Sequence, residues 1–286
     1  MQRRQTYAEK QKQTHSTMTN ATSKYQRLLA VLAETKGAVV AFSGGVDSTL
    51  LLHAAKQALE NRAVAATIST PYVPRWELNE AKQSAERMQV RHVIVEMPFP
   101  DELRMNPPEH CYTCKKLLFG RLLETAGERG LYQVLDGTNV DDLGDYRPGI
   151  RALRELGITS PFLEADLNKQ DIRELSKQFE LPTWDKPSFA CLLSRMPVDA
   201  EVTDQALRQV ESAEIFLMGI GFPAVRVRHH GDVARIEIPQ ESIPDFIAAC
   251  TKYNINDELK KLGYRHVTLD LGGYSMGSLN RIPAEQ

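Results

Sequence analysis

The chain has 286 residues, 42% of them hydrophobic and 25% charged, and its 35 Lys+Arg against 37 Asp+Glu leave a formal net charge of −2. That length can bury a full core and has room for two domains, while the near-neutral charge gives no support to general nucleic-acid binding. No apolar run reaches a membrane span and no signal peptide is visible, so no membrane partner is expected and the expected location is cytoplasmic.

Residues 1–24 are polar, Gln/Thr-rich and mildly basic, and read as a flexible tail leading into a helix capped by Ser23. An apolar run, Ala38 to Phe42, predicts a buried strand that stops at Ser43-Gly44-Gly45. Leu50, Leu51, Leu52, Ala54, Ala55, Ala58 and Leu59 then recur at helical spacing. Strands are predicted over Ala63–Ile68, His92–Met97 and Tyr132–Leu135. Helices are predicted over Pro74–Met88 and Lys115–Arg129, with a loop from Pro98 to His110. Short buried strands alternating with longer helices are the pattern of an α/β protein with a doubly wound parallel sheet, here over residues 25–197. Such sheets bind ligands outside the carboxyl ends of their strands, and Ser43, the loop after Met97 and Asp136 all fall there.

Beyond Pro161 the pattern loosens. Asn168 is expected to cap a helix to Phe179, and a loop from Leu181 to Pro187 leads to Cys191 and Arg195. Thr203 should cap a helix whose inner face holds Ala206, Leu207, Val210, Phe216 and Leu217. Strands Ala224–Arg228 and Val233–Ile238 join at Gly231, followed by a helix near Ile243–Cys250 and a strand His266–Leu271. This is a smaller C-terminal α+β domain over 198–286, expected to serve substrate binding or oligomerisation.

The glycine turn carries the chemistry. Glycines let backbone approach a ligand closely, and the free N–H groups of a new helix attract anions. A Walker loop is excluded because no G-x-x-x-x-G-K-[ST] string is present. Ser43-Gly44-Gly45-Val46-Asp47-Ser48 instead resembles the PP-loop of N-type ATP pyrophosphatases, which cleave ATP between the α and β phosphates. Backbone N–H groups from Gly44 to Ser48 can cradle phosphates, and the Ser43 and Ser48 hydroxyls add donors. Asp47 faces a phosphate only across a cation, for which Mg²⁺ is expected. The plainer alternative is a carboxylate favoured by the helix dipole.

Asp136, Thr138 and Asn139 lie in Asp136-Gly137-Thr138-Asn139 at a strand's end, where polar groups serve a nucleotide site or an ordinary turn equally well. Beside a PP-loop the balance moves towards nucleotide. Arg147, Arg151 and Arg154 follow at helix-like spacing, suited to an anionic substrate or to solvent.

Cys111-Tyr-Thr-Cys114 sits just before a predicted helix, and Cys191 lies in the Pro-flanked loop Lys186–Arg195. With no export signal, these are thiols or metal ligands rather than a disulfide scaffold. Three cysteines can hold three irons of a [4Fe–4S] cluster and leave the fourth open; a Cys₃His zinc site with His110, or plain thiols, fit the sequence as well. Cys250 belongs to an apolar segment and reads as a packed thiol. In Val225-Arg226-Val227-Arg228 alternation puts both guanidiniums on one strand face, either as an anion clamp or as a solvated face that pairs with Arg235 and Glu237. Glu214 falls in the preceding helix, where an exposed carboxylate is the default.

Together these strings resemble the ATP-dependent sulfur transferases of the LarE type, which build the nickel-pincer cofactor of lactate racemase. The resemblance runs from about Tyr25 to Asn280. It rests on Ser43–Ser48, Asn106–Lys115, Asp136–Gly149, Trp184–Arg195, Arg226–Ile238 and Thr268–Gly273. It implies a substrate, pyridinium-3,5-biscarboxylic acid mononucleotide, whose carboxylates are adenylated and become thiocarboxylates. ATP and Mg²⁺ are implied as cofactors, together with sulfide or another sulfur donor and a homo-oligomer. Cys191, Asp47 and Glu214 are the implied catalytic residues. Arg147, Ser194, Arg195, Arg226 and Arg228 are the candidates for substrate contact. Some members sacrifice one cysteine's sulfur; others have three cysteines and a cluster. Cys111, Cys114 and Cys191 match the three-cysteine pattern. The rivals are a PP-loop enzyme thiolating tRNA, which near-neutral charge disfavours, an ammonia-using ligase, and a non-catalytic nucleotide-binding cluster sensor.

Overall fold

The computed structural model describes residues 20–144, 148–187 and 190–274. Helix α1 (Asn20–Ala33) buries Ala21, Tyr25, Leu28 and Leu32, a spacing of one helical face. Ser23 therefore lies inside the helix and does not cap it, and the expected tail is helical from Asn20 onward. The apolar stripe starts at Ala21, ahead of the expected cap.

Strand β1 (Ala38–Ala41) leads into α2 (Val46–Leu59), and β2 (Ala63–Ser69) into α3 (Arg75–Arg87). Strand β3 (Arg91–Glu96) leads to α4 (His110–Gly127), and β4 (Val134–Leu135) to α5 (Pro148–Glu155). The four strands are parallel in the order β3-β2-β1-β4. Alternation along them buries both faces. Val40, Ala65 and Leu135 pack with α1, α2 and α3 on one side, and Val39, Val64 and Val134 with Phe119, Leu122 and Leu153 on the other. This is the expected doubly wound sheet. Strand order reverses about β1, so the chain leaves β1 and β4 towards opposite faces and a crevice opens between their carboxyl ends.

Helices α6 (Pro161–Glu164) and α7 (Lys169–Gln178) follow, the latter opened by a capping box in which Asn168 and Asp171 bond each other's backbone N–H. Helix α8 (Asp204–Gly219) is capped by Thr203. A second sheet, β5 (Arg226–His230), β6 (Val233–Glu237) and β7 (His266–Leu269), has β5 antiparallel and β7 parallel to β6. Helices α9 (Ile243–Lys252) and α10 (Ile255–Lys261) connect β6 to β7. The core of this second unit also takes in Tyr72, Phe99 and Leu103 from the first half, with Leu192 and Leu193 between them. Cys250 is half-buried at its edge, in keeping with a packed thiol.

Helix α4 begins at His110, five residues before its expected start. Pro107 and Pro108 hold the preceding backbone in a turn, with His110 N donating to the Pro107 carbonyl at 2.8 Å, and the helix follows at once. The C-x-x-C pair therefore sits in the first turn, not in a loop. Its i,i+3 spacing puts both thiols on one face.

Candidate active site

At the β1–α2 turn, Gly44 has φ +69°, and a Cβ there would stand 3.2 Å from the Cα of Ala81 on α3. Only glycine lets the loop pass so close. The Ser43 and Ser48 hydroxyls lie 3.2 Å apart, and Ser48 Oγ donates to the Gly45 carbonyl at 3.2 Å. No side chain caps α2, which leaves the N–H groups of its first turn, at Val46, Asp47 and Ser48, facing the crevice mouth. Across from it, a Cβ on Gly137 would meet the Cβ of Asp47 at 3.1 Å, so the loops after β1 and β4 are in van der Waals contact.

Asp136, Thr138 and Asn139 are all buried. The Asp136 carboxylate accepts from Ser160 Oγ at 2.5 Å, from Thr138 N at 3.2 Å and from the Thr138 hydroxyl, and so holds its own loop. Asn139 Nδ2 reaches Asp47 Oδ1 at 3.4 Å, while Lys169 Nζ pairs with Asp47 Oδ2 at 2.5 Å. Lys169 is the first residue of α7. A cation at a helix N-terminus runs against the dipole, which is the signal that marks it in the sequence. Lys186, just before Pro187, donates to the Gly44 carbonyl at 3.0 Å and to Glu80 at 2.7 Å, tying the segment before Cys191 to the PP-loop.

An open cavity of about 360 Å³ follows, with Ser43, Asp47, Ser48, Asp136, Glu77 and Cys191 on its walls. That volume is in the range of small-molecule sites, about 300–1,000 Å³. Glu77 was not signalled by any motif. It lies one turn before Ala81 on the buried face of α3, and a carboxylate on a buried helix face is the signal that could have found it.

Cys191 opens a short 3₁₀ turn over Leu192–Arg195. Asn106 holds the turn through Nδ2, which donates to the carbonyls of Leu193, Met196 and Pro197 at 3.2, 3.1 and 2.9 Å. Arg195, 2% exposed, forks onto Glu214 at 2.9 and 3.2 Å and sends Nη1 to the carbonyls of Ala190 and Cys191 and to Ser194 Oγ. Glu214, 3% exposed, also accepts from Val227 N at 2.9 Å. The expected exposed carboxylate is instead buried, because α8 packs that face against β5 and the Cys191 turn.

Arg226 and Arg228 are 3% and 5% exposed, which removes the solvated-face reading. The covering of β5 by the Cys191 turn and Tyr274 is the reason. Arg228 donates to Ser194 O at 2.5 Å and to Glu237 at 2.7 Å, the pairing anticipated for β6. Arg226 donates to the Val225 carbonyl at 2.7 Å and lies over the Tyr274 ring. Burial first, and then the Arg195 charge, lower its pKa. Neither guanidinium is on the wall of the PP-loop cavity. Arg151 pairs with Glu109 at 3.3 Å, and Arg147 lies outside the described residues.

Cys114 and Cys191 are half-buried and Cys111 exposed. Burial, and then the charge of Cys191, push the Cys114 thiol up to about 12; burial likewise raises Cys191, against the pull of Arg195. Burial first, and then a charge on Cys191, oppose ionisation of Cys111. Among the described residues no group of three or more His, Cys, Asp or Glu side chains is placed to hold a metal ion. His110 Nδ1 bonds the Pro107 carbonyl at 3.0 Å, and its Nε2 is buried without a hydrogen-bond partner.

Among the described residues no helix is long and apolar enough to cross a membrane. Residues 37–107 match the family model of the queuosine biosynthesis protein QueC. The chain is 37% identical over 266 residues to the pyridinium-3,5-bisthiocarboxylic acid mononucleotide synthase of Lactiplantibacillus plantarum, covering 92% of this chain and 96% of that protein. An uncharacterized protein of Synechocystis is 40% identical, over 91% of this chain and 98% of its own. One from Methanocaldococcus jannaschii is 34% identical, over 84% and 91%.

Proposed function

The chain belongs to the LarE-type family of PP-loop sulfur transferases, and on that premise we propose that it converts the carboxylates of pyridinium-3,5-biscarboxylic acid mononucleotide to thiocarboxylates in nickel-pincer cofactor synthesis. The observation that carries this reading is the placement of Cys191 on the wall of the cavity that the PP-loop opens. A carboxylate oxygen leaves poorly and AMP leaves well, so adenylation must precede sulfur addition. The first-turn N–H groups of α2 and the Ser43 and Ser48 hydroxyls receive the ATP phosphates. Lys169 would turn from Asp47 to the phosphates as they arrive. Asp47 and Asp142, both on the cavity wall, would hold a Mg²⁺, which would offset the charge of the phosphates.

Arg226 and Arg228 would meet an anion only by giving up partners they already hold. We assign them, with Arg195, Ser194 and Glu214, to shaping the Cys191 turn and the wall behind it.

The donor set of Cys111, Cys114 and Cys191 fits an iron–sulfur cluster. Thiolates are the ligands of such clusters, and these three cysteines would supply them. When bound, such a cluster supplies an open iron able to carry the sulfide to be transferred.

Anaerobic incubation with ATP, Mg²⁺, sulfide and the mononucleotide should release AMP and pyrophosphate, with iron and sulfide in the protein and Cys191 unchanged in mass. ADP and orthophosphate as main products would overturn the PP-loop assignment. Iron-free protein with full single-turnover activity and dehydroalanine at Cys191 would overturn the cluster.

A further inference from the structure

Most sheet edges in this protein are guarded. Strand β3 carries exposed Arg91 and Glu96 at its ends, β4 is bridged by Thr159, and β5 lies under the Cys191 turn. Strand β7 has no such guard. Over His266–Leu269 it holds no Lys, Arg, Asp, Glu or Pro and no bulge, and β6 is its one strand partner among the described residues. The N–H groups of His266 and Asp270 point to the β6 side, donating to the Asp232 and Ile236 carbonyls at 3.0 and 2.8 Å. Alternation therefore turns the N–H and C=O groups of Val267 and Leu269 away from β6. The side chains of these two residues are only partly buried against the second core. A bare edge of this kind is a template for another strand, and natural proteins cover it.

What fits the edge is β7 itself. A two-fold contact uses the same patch on both copies, so each residue must suit the one it meets in both directions. Set antiparallel about an axis at Thr268, His266 lies opposite Asp270, Val267 opposite Leu269, and Thr268 opposite itself. These are an imidazole with a carboxylate, an apolar pair and a hydroxyl pair, all favourable across strands. Asp270 already meets Arg235 Nε at 3.7 Å and Gly272 N at 2.9 Å, and a carboxylate with about four acceptor sites has room for the imidazole. The backbone agrees with this register. Val267 and Leu269, whose polar groups face outward, fall at the hydrogen-bonded positions, and Thr268 falls at the non-hydrogen-bonded one. Centring on Val267 would face Leu269 with Arg265, and centring on Leu269 would face His266 with Gly272.

We propose that β7 is the contact surface for a second copy of this chain, the two strands pairing antiparallel about Thr268 into one continuous sheet. The pairing extends the second core from copy to copy through Val267 and Leu269. No residue of β7 lines the PP-loop cavity, so the assignment stands apart from the reaction proposed above.

Sedimentation equilibrium on the full chain should find an even number of copies. Under copper–phenanthroline oxidation Thr268→Cys should give a covalent dimer, because Cα atoms at such a site lie about 4.5 Å apart, inside the roughly 4.4–6.8 Å span of a disulfide. Val267→Cys, which faces Leu269, should link no more than the wild-type chain, the control for the native thiols. His266→Asp sets like charges opposite each other and should weaken association about tenfold. Exchanging the two residues, His266→Asp with Asp270→His, should restore it. A monomeric full chain would overturn the proposal, and one that dimerises only after removal of residues 275–286 would put that segment on the edge in place of a second copy. An oligomer in which Thr268→Cys links no better than Val267→Cys would overturn it too, by placing the contact on another surface.

Discussion

Replacing Glu214 by Ala tests whether the Cys191 turn is held by a buried ion pair. Glu214 and Arg195 are 3% and 2% exposed, so water screens the pair very little. The substitution strands two guanidinium donors, Nε and Nη2, and the backbone N–H of Val227. Removing one partner of a buried pair costs about 3–5 kcal/mol. An orphaned backbone N–H alone costs about 1–3 kcal/mol, but these groups share one site and the two costs do not add. A loss of about 3–5 kcal/mol is therefore expected, a large part of the roughly 5–15 kcal/mol available to a folded protein. Urea unfolding followed by circular dichroism and tryptophan fluorescence gives the number directly. The double variant Arg195→Met with Glu214→Leu should recover only part of the stability, because apolar side chains of similar volume carry no desolvation cost but the Val227 N–H stays without its acceptor. It should still fail in sulfur transfer, since the Ala190 and Cys191 carbonyls lose the Nη1 donor. A single variant within about 1 kcal/mol of wild type would refute the reasoning. So would a double variant as unstable as the sum of the singles.

The other expectations concern loop geometry. Asn106→Ala removes three hydrogen bonds to carbonyls of the Cys191 turn at a residue whose φ of +42° suits Asn better than Ala, and should cost about 2–4 kcal/mol in the urea midpoint. Asn106→Asp should be at least as damaging, because an acceptor-only group would then face the carbonyls. Gly44→Ala forces a Cβ towards the backbone of α3 at a φ of +69°, a strain of about 1–2 kcal/mol. Titration calorimetry with a non-hydrolysable ATP analogue should show about tenfold weaker binding, and unchanged affinity would show that the loop yields.

What the sequence determines here is local. The Asn168 capping box, the Thr203 cap, the strand–glycine–helix turn at Ser43–Ser48 and the parallel-sheet alternation each depend on residues within a turn or two. Neighbours that close are legible without the fold. The start of α4 carries no such mark, because its helix has no capping side chain and follows only the turn set by two prolines. Tertiary structure decides which charges are buried and what they meet. Lys169 reaches Asp47 across 122 residues, Arg228 is covered by the Cys191 turn, and Glu214 looks like any surface carboxylate until α8 packs it on Arg195. Glu77 is the clearest case. Burial raises its pKa against the pull of Lys186 and Arg195, its Oε1 is left without a hydrogen-bond partner, and both facts exist only once the chain has folded around it.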